Sequence, residues 1–354
     1  MENQQKTFNA VLVEGGRIPF QRSGTAYNDM MAYDLGRMAI EGLIARSGIQ
    51  ASQLDHVVMG TVIQDIATSN VARDSALGAG IPNSVPAHTV TMACISSNKA
   101  ITNAIDMIRS GQAKTILAGG TETMSDIPIR LRKPFRQKLL EARKYKSPAD
   151  WLKFFKGLSP SDFLPEIPAI AEFSTGETMG ESCDRMAAHF GISRKEQDEF
   201  ALRSHQLAAK ATNEGLLDDE LLPASVPPNF DPITQDNTFR EDTSMEKLEK
   251  LSPAFIKPHG TITAGNSSAF TDGASATLIM EEQTALELGL KPKAYLRNYT
   301  YVAQDPEDEL LLGPAYATPK VLDSMNLQLS DIDVFEFHEA FAGQILNGIK
   351  SPQF

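Results

Sequence analysis

Short apolar segments alternate with helix-patterned ones through roughly the first 120 residues, and nothing else in the sequence restricts the fold as tightly. Phe8–Glu14 (FNAVLVE) reads as a strand, and Asp34–Ser47 carries apolar residues at helical spacing up to Gly48. His56–Val62 is strand-like, Ile101–Arg109 is helical, and Lys114–Ala118 is a strand closed by Gly119 and Gly120. Strands and helices in alternation predict an α/β architecture around a largely buried sheet. From about Ser125 to Leu251 the pattern breaks: charge rises, prolines cluster, and helices such as Arg194–Glu214 dominate. Gly260–Met280 then returns to strand character. The expected organisation is one α/β half from residues 1–124 and 252–290, with residues 125–251 inserted as a helical or loop domain.

A faint internal repeat adds a second half. Ser47–Asp55 (SGIQASQLD) aligns with Met325–Asp333 (MNLQLSDID) at an offset of 278, and each segment joins a helix to an apolar run. Residues 291–354 are therefore expected to belong to a second, related α/β half. In that register Phe354 falls opposite Ala76, 18 positions short of the counterpart of Cys94, so this half is expected to be incomplete.

Composition narrows the class. A chain of 354 residues can bury a large core, and no apolar run reaches the ~18 residues of a membrane span. Met1–Lys6 (MENQQK) has neither the apolar centre of a secretory signal nor the Arg-rich character of a transit peptide. That favours a cytoplasmic setting if the source is bacterial; the mitochondrial matrix or inner-membrane surface is the expectation if it is eukaryotic. Cys94 and Cys183 are too few for a disulfide framework, which points to a reducing compartment. No metal-ligand spacing is present, so no metal is expected. The net charge of −12 argues against nucleic acid as a partner, but it hides an asymmetry. Arg130–Lys156 carries ten Lys or Arg against Glu141 and Asp150, a window of +8 that leaves the rest of the chain at −20. Trp151, Leu152, Phe154 and Phe155 lie in the same window. Such a mixture suits an interfacial or partner-binding surface, and equally a solvated basic face over a small apolar cluster.

The candidate chemistry centres on Cys94, in VTMACISSNKA (Val90–Ala100), where an apolar stretch meets a helix-starting Ser-Ser pair. A thiol at a helix N-terminus feels the positive end of the macrodipole and unpaired N–H groups, and both favour the nucleophilic thiolate. A buried structural cysteine is the other reading of that segment taken alone. Three more segments stand out: TAGNSSAFTDGASA (Thr263–Ala276), FHEAFAG (Phe337–Gly343) and ETMGES (Glu177–Ser182). Their glycines and small residues would let a ligand approach the backbone closely.

Together, in this order, these segments resemble the thiolases, and within them the 3-ketoacyl-CoA thiolases of the trifunctional β-oxidation type. The resemblance runs from about Phe8 to Leu346 and includes AGGTETMSD (Ala118–Asp126) and FHEAFAGQIL (Phe337–Leu346). It implies a layered αβαβα fold of two related halves with a loop domain between. It also implies an acyltransferase that releases acetyl-CoA and a shortened acyl-CoA through an acyl-cysteine intermediate. Cys94 would be the nucleophile, and His338 would help build the oxyanion hole for the enolate. Ala264 and Ser268 match positions that touch the pantetheine of CoA, while Met179, Ala340 and Phe341 match pocket-lining ones. Thr178 departs from the His of short-chain biosynthetic members. CoA and acyl-CoA enter as substrates, with no permanently bound cofactor. A homodimer or larger oligomer is implied, and Arg130–Lys156 falls where the trifunctional type contacts an α subunit and the membrane.

The family also carries a Gly-His-Pro segment that activates the nucleophile and a Cys-x-Gly segment that supplies acid and base; neither occurs in these 354 residues. The expectation is a C-terminally truncated chain with little or no turnover as written, since positioned acid–base groups contribute about 10²–10⁴-fold each. A condensing enzyme of the same fold and a non-catalytic, partner-docking subunit stand as the alternatives.

Overall fold

The computed structural model describes residues 9–166 and 171–353. The Met1–Lys6 segment, Phe8 at the head of the expected first strand, and Phe354 lie outside the described residues. The chain divides into two compact units, Met1–Asp126 with Ala171–Phe354, and Ile127–Ile170. The smaller unit is narrower than the 125–251 insertion read from sequence: the helices after Ala171 pack within the larger one.

The larger unit is built on one mixed sheet. Its strands are β1 (Ala10–Arg17), β2 (Gln21–Arg22), β3 (His56–Gly60), β4 (Ala87–Val90), β5 (Thr115–Glu122), β10 (Thr271–Glu281) and β11 (Ala294–Tyr295). Their order is β11-β1-β10-β5-β3-β4, with β2 also on β10. β5, β3 and β4 run parallel, β10 runs antiparallel to β5, and β1 runs antiparallel to β10. Side chains alternate across the sheet. Val57, Met59, Leu117, Leu278 and Met280 enter the core beneath α1 (Ala32–Ser47) and α2 (Val71–Gly78). Val58, Ile116, Ala118 and Ile279 enter the opposite core beneath α3 (Ser96–Arg109). Burial on both faces explains why β5 (TILAGGTE) reads as a continuous small and apolar run. Its glycines are required: a Cβ at Gly119 would lie 2.1 Å from the Ser275 carbonyl oxygen.

In the smaller unit, β6 (Arg130–Leu131) pairs with β7 (Pro165–Glu166), beside α4 (Lys133–Ala142) and α5 (Pro148–Phe154). Phe154 is buried against Phe135, whose ring also meets Phe163. Trp151, Leu152 and Phe155 remain 54%, 80% and 64% exposed.

The larger unit continues with α6 (Met179–His189), α7 (Arg194–Asn213), the hairpin β8 (Ala224–Val226) to β9 (Asp231–Ile233), and α8 (Met245–Glu249). After β10 come α9 (Glu282–Glu287), α10 (Gly313–Ser324) and α11 (Ala342–Lys350). The internal repeat has a local structural counterpart. Gly48 and Asn326, 278 apart, both end a helix with positive φ (70° and 54°). Ala51–Gln53 and Leu329–Asp331 then form matching 3₁₀ turns. The correspondence stops at Val334–His338, which forms no strand where the first half has β3.

Candidate functional site

Cys94 sits on the turn between β4 and α3, exposed to solvent. Ala93, just before it, is held at φ 44°, a left-handed conformation that costs a residue with a Cβ energy. Ser96 maintains the turn: its Oγ accepts from Met92 N–H at 2.8 Å and donates to the Ala93 carbonyl at 2.7 Å. Below it, Gly60 at the end of β3 abuts the helix start, where a Cβ would lie 2.4 Å from the Ser96 carbonyl carbon. The sequence therefore indicates correctly a thiol at the start of a helix. The ionisation differs from the expectation. Although the residue as a whole is exposed, the protein packed around its thiol removes part of the hydration and raises the pKa above the ordinary thiol value; the Glu122 carboxylate raises it further, against the thiol's contact with its own N–H. The helix dipole acts from α3 alone, whereas the opposing charge comes from β5, remote in sequence.

A second assembly forms around the TAGNSS loop. Ser268 N–H donates to the Ala340 carbonyl at 2.8 Å, and Ala342 N–H donates to the Asn266 carbonyl at 3.0 Å. These bonds stitch the loop to the segment that enters α11. Asn266 is the hub: its Nδ2 donates to buried Asp198 at 2.9 Å, and its Oδ1 accepts from Thr263 N–H at 2.7 Å. Asp198 is itself held by Arg194 Nε at 2.7 Å. Asp184 on α6 accepts from the N–H groups of Thr261 and Ile262 at 2.6 and 2.9 Å. A Cβ at Gly265 would lie 2.5 Å from the Leu248 side chain, which would have to shift to admit it. The capping box of α6 runs from Thr178 to Glu181, so Thr178 has a structural duty as N-cap.

This assembly lines a cleft of about 360 Å³, walled by α7 and α8 and floored by Ala264–Ala269 with Phe341 and Ala342. Arg22, Arg240 and Lys247 stand on its walls, with Asp242 paired to Lys247. Of the residues expected at a site, Ala264, Ser268 and Phe341 share this cleft. Met179, Ala340 and Phe341 share an apolar cluster with buried Cys183 and Ile262. Burial drives the Cys183 thiol far above its usual range, so it stays protonated and inert. His338 is exposed on the extended segment before α11, and dehydration of its ring lowers its pKa, favouring the neutral imidazole. Among the described residues, neither Cys94 nor His338 lines the cleft. Glu122, Asp198, Asn266 and the three cations join the expected site residues only in three dimensions. Glu122, at least, carried a signal: a carboxylate ending an otherwise apolar strand.

The family model for the thiolase N-terminal domain matches residues 10–283, and that for the thiolase C-terminal domain matches residues 290–354. The mitochondrial trifunctional enzyme subunit beta of Bos taurus is 56% identical, across 97% of this chain and 72% of its own length. A probable 3-ketoacyl-CoA thiolase of Caenorhabditis elegans is 53% identical, across 97% and 76%. The crystal structure of human mitochondrial 3-ketoacyl-CoA thiolase in complex with CoA aligns with a TM-score of 0.85 at 29% identity, covering 96% of this chain and 82% of that one.

Proposed function

This chain belongs to the thiolase family, and from that premise we propose that it is a 3-ketoacyl-CoA thiolase of fatty-acid β-oxidation in which Cys94 is the acyl-accepting nucleophile. The observation that carries this reading is the Cys94 turn, with an exposed Cys94 set at the start of α3 by a strained Ala93 and a bracing Ser96. The thiolate attacks the 3-keto carbon. The bond between carbons 2 and 3 breaks, and its electron pair passes to the departing acetyl-CoA enolate, which takes up a proton. A second CoA thiol then attacks the acyl-cysteine and frees the thiolate. His338, kept neutral by dehydration, is suited to donate a hydrogen bond to the enolate oxygen or to a water beside it. Ala264 and Ser268 offer small side chains against which pantetheine can lie, and Arg22, Arg240 and Lys247 offer positive charge for the phosphates of CoA. Met179, Ala340 and Phe341 supply an apolar surface for the acyl chain.

Acyl loading tests this directly. Intact mass and peptide mapping after mixing the protein with acyl-CoA thioesters should place one acyl group on Cys94, and Cys94→Ser should remove it. An adduct that persists in Cys94→Ser, or none at any chain length, would refute the assignment.

A second reading concerns partners. Exposed Trp151, Leu152 and Phe155 among the basic residues of the smaller unit support docking on an anionic membrane surface or on the α subunit of a β-oxidation complex.

A further inference from the structure

Glu122 ends β5 on the face that carries α3. Residues two apart on a strand share a face, and a Cβ at Gly120 would lie 2.0 Å from Ser97 Oγ in the first turn of α3. The Glu122 carboxylate is firmly held. Its Oε2 accepts from Val62 N–H at 2.8 Å, and its Oε1 accepts from Ile63 N–H at 3.2 Å and from Thr61 Oγ1 at 3.3 Å. Those three residues form the turn that leaves β3, whose final Gly60 presses on the backbone of Ser96 and Ser97. One carboxylate thus connects the end of β5, the turn after β3 and the helix start that presents Cys94.

We propose that Glu122 is a positioning residue for the nucleophile: it clamps the Thr61–Ile63 turn against the start of α3 and keeps its carboxylate on the thiol's side of the sheet. The role serves the acyl transfer proposed above, and its test does not depend on that reaction. Glu122 opposes ionisation of the Cys94 thiol, after dehydration has already disfavoured it. Other charged groups on the packed elements are engaged elsewhere. His56 on β3 and His88 on β4 bond each other at 2.8 Å. Asp65 binds Ala67 N–H, and Asp272 on β10 binds the Met124 and Ser125 N–H groups. Lys99 on α3 lies over the Tyr301 ring, 5.0 Å from its centroid. A thiol kept protonated at rest is spared adventitious oxidation and alkylation, and it yields its proton only when a base takes it as the substrate is attacked.

The experiment is the pH profile of Cys94 alkylation by iodoacetamide, followed by peptide mass, which requires no acyl transfer. In Glu122→Gln the midpoint should fall by about one pH unit, the usual size of a like-charge effect, with about tenfold faster alkylation at pH 7. Glu122→Asp retains the charge and should stay close to the wild-type midpoint. Val62→Lys places a cation beside an untouched carboxylate at an exposed position; it should also lower the midpoint, and it serves as the test if Glu122→Gln does not fold. Midpoints equal to wild type in Glu122→Gln and Val62→Lys, or rates altered by one factor at every pH, would overturn the proposal. So would Glu122→Asp shifting as far as Glu122→Gln. Loss of acyl loading with this profile intact would count against the thiolase reading alone.

Discussion

At the level of single residues, the Cys94 turn shows how local strain and remote charge act on one atom. Ala93 holds a φ of 44°, a region that side-chain-bearing residues enter at a cost of about 1–2 kcal/mol. Glycine adopts it freely, and a β-branched residue resists it most. Ala93→Gly should therefore leave stability within about 0.5 kcal/mol of wild type, strain relief offsetting the extra freedom of the unfolded chain. Ala93→Val should cost about 1–2 kcal/mol and slow acyl loading of Cys94 by re-aiming the thiol. Urea midpoints for the three proteins measure the first effect, and the rate of adduct formation measures the second. Equal midpoints for Gly and Val would mean the turn carries no strain. This strain was not legible in the sequence, because alanine is not a turn-forming residue type; the thiol's place at a helix start was legible, because Ser96 and Ser97 mark it.

At the level of elements, α3 approaches the sheet through glycines. A Cβ at Gly60 would fall 2.4–2.6 Å from backbone atoms of Ser96 and Ser97, and backbone cannot rotate aside as a side chain can. Gly60→Ala should push the first turn of α3 outward, lower stability by about 1–3 kcal/mol as overpacking does, and reduce acyl loading in parallel. Denaturant unfolding alongside adduct formation checks this; unchanged values in both would show that the helix start tolerates displacement. The alternation of strands and helices that builds this layer could be read from the chain, because each element alone displays its period. The cleft could not. Arg22, Arg240 and Lys247 converge from a short strand, a loop and α8, and no local pattern relates them. Asn266 lay in a recognisable segment, but its hub role depends on Asp198, 68 residues earlier.

Across the whole molecule, charge is segregated by sequence far more than the net value of −12 suggests. The +8 of Arg130–Lys156 falls within the Ile127–Ile170 unit, whose exposed Trp151, Leu152 and Phe155 add apolar surface, while the remaining −20 would repel an anionic bilayer. Attachment should therefore depend on this unit and weaken with salt, since screening at about 0.5 M shortens the reach of charge to a few ångströms. Each basic residue near an anionic surface contributes about 1 kcal/mol. Reversing exposed Lys144, Lys146 and Lys156 to Glu should thus lower vesicle affinity by at least about two orders of magnitude. Trp151→Ala removes an apolar contact instead, so it should weaken binding by a similar factor at low and high salt. Co-sedimentation with vesicles containing an anionic lipid separates the two effects, with acyl loading of Cys94 as the control that must stay unchanged. Binding indifferent to both salt and charge reversal would eliminate membrane docking through this window and leave a protein partner as the occupant to test.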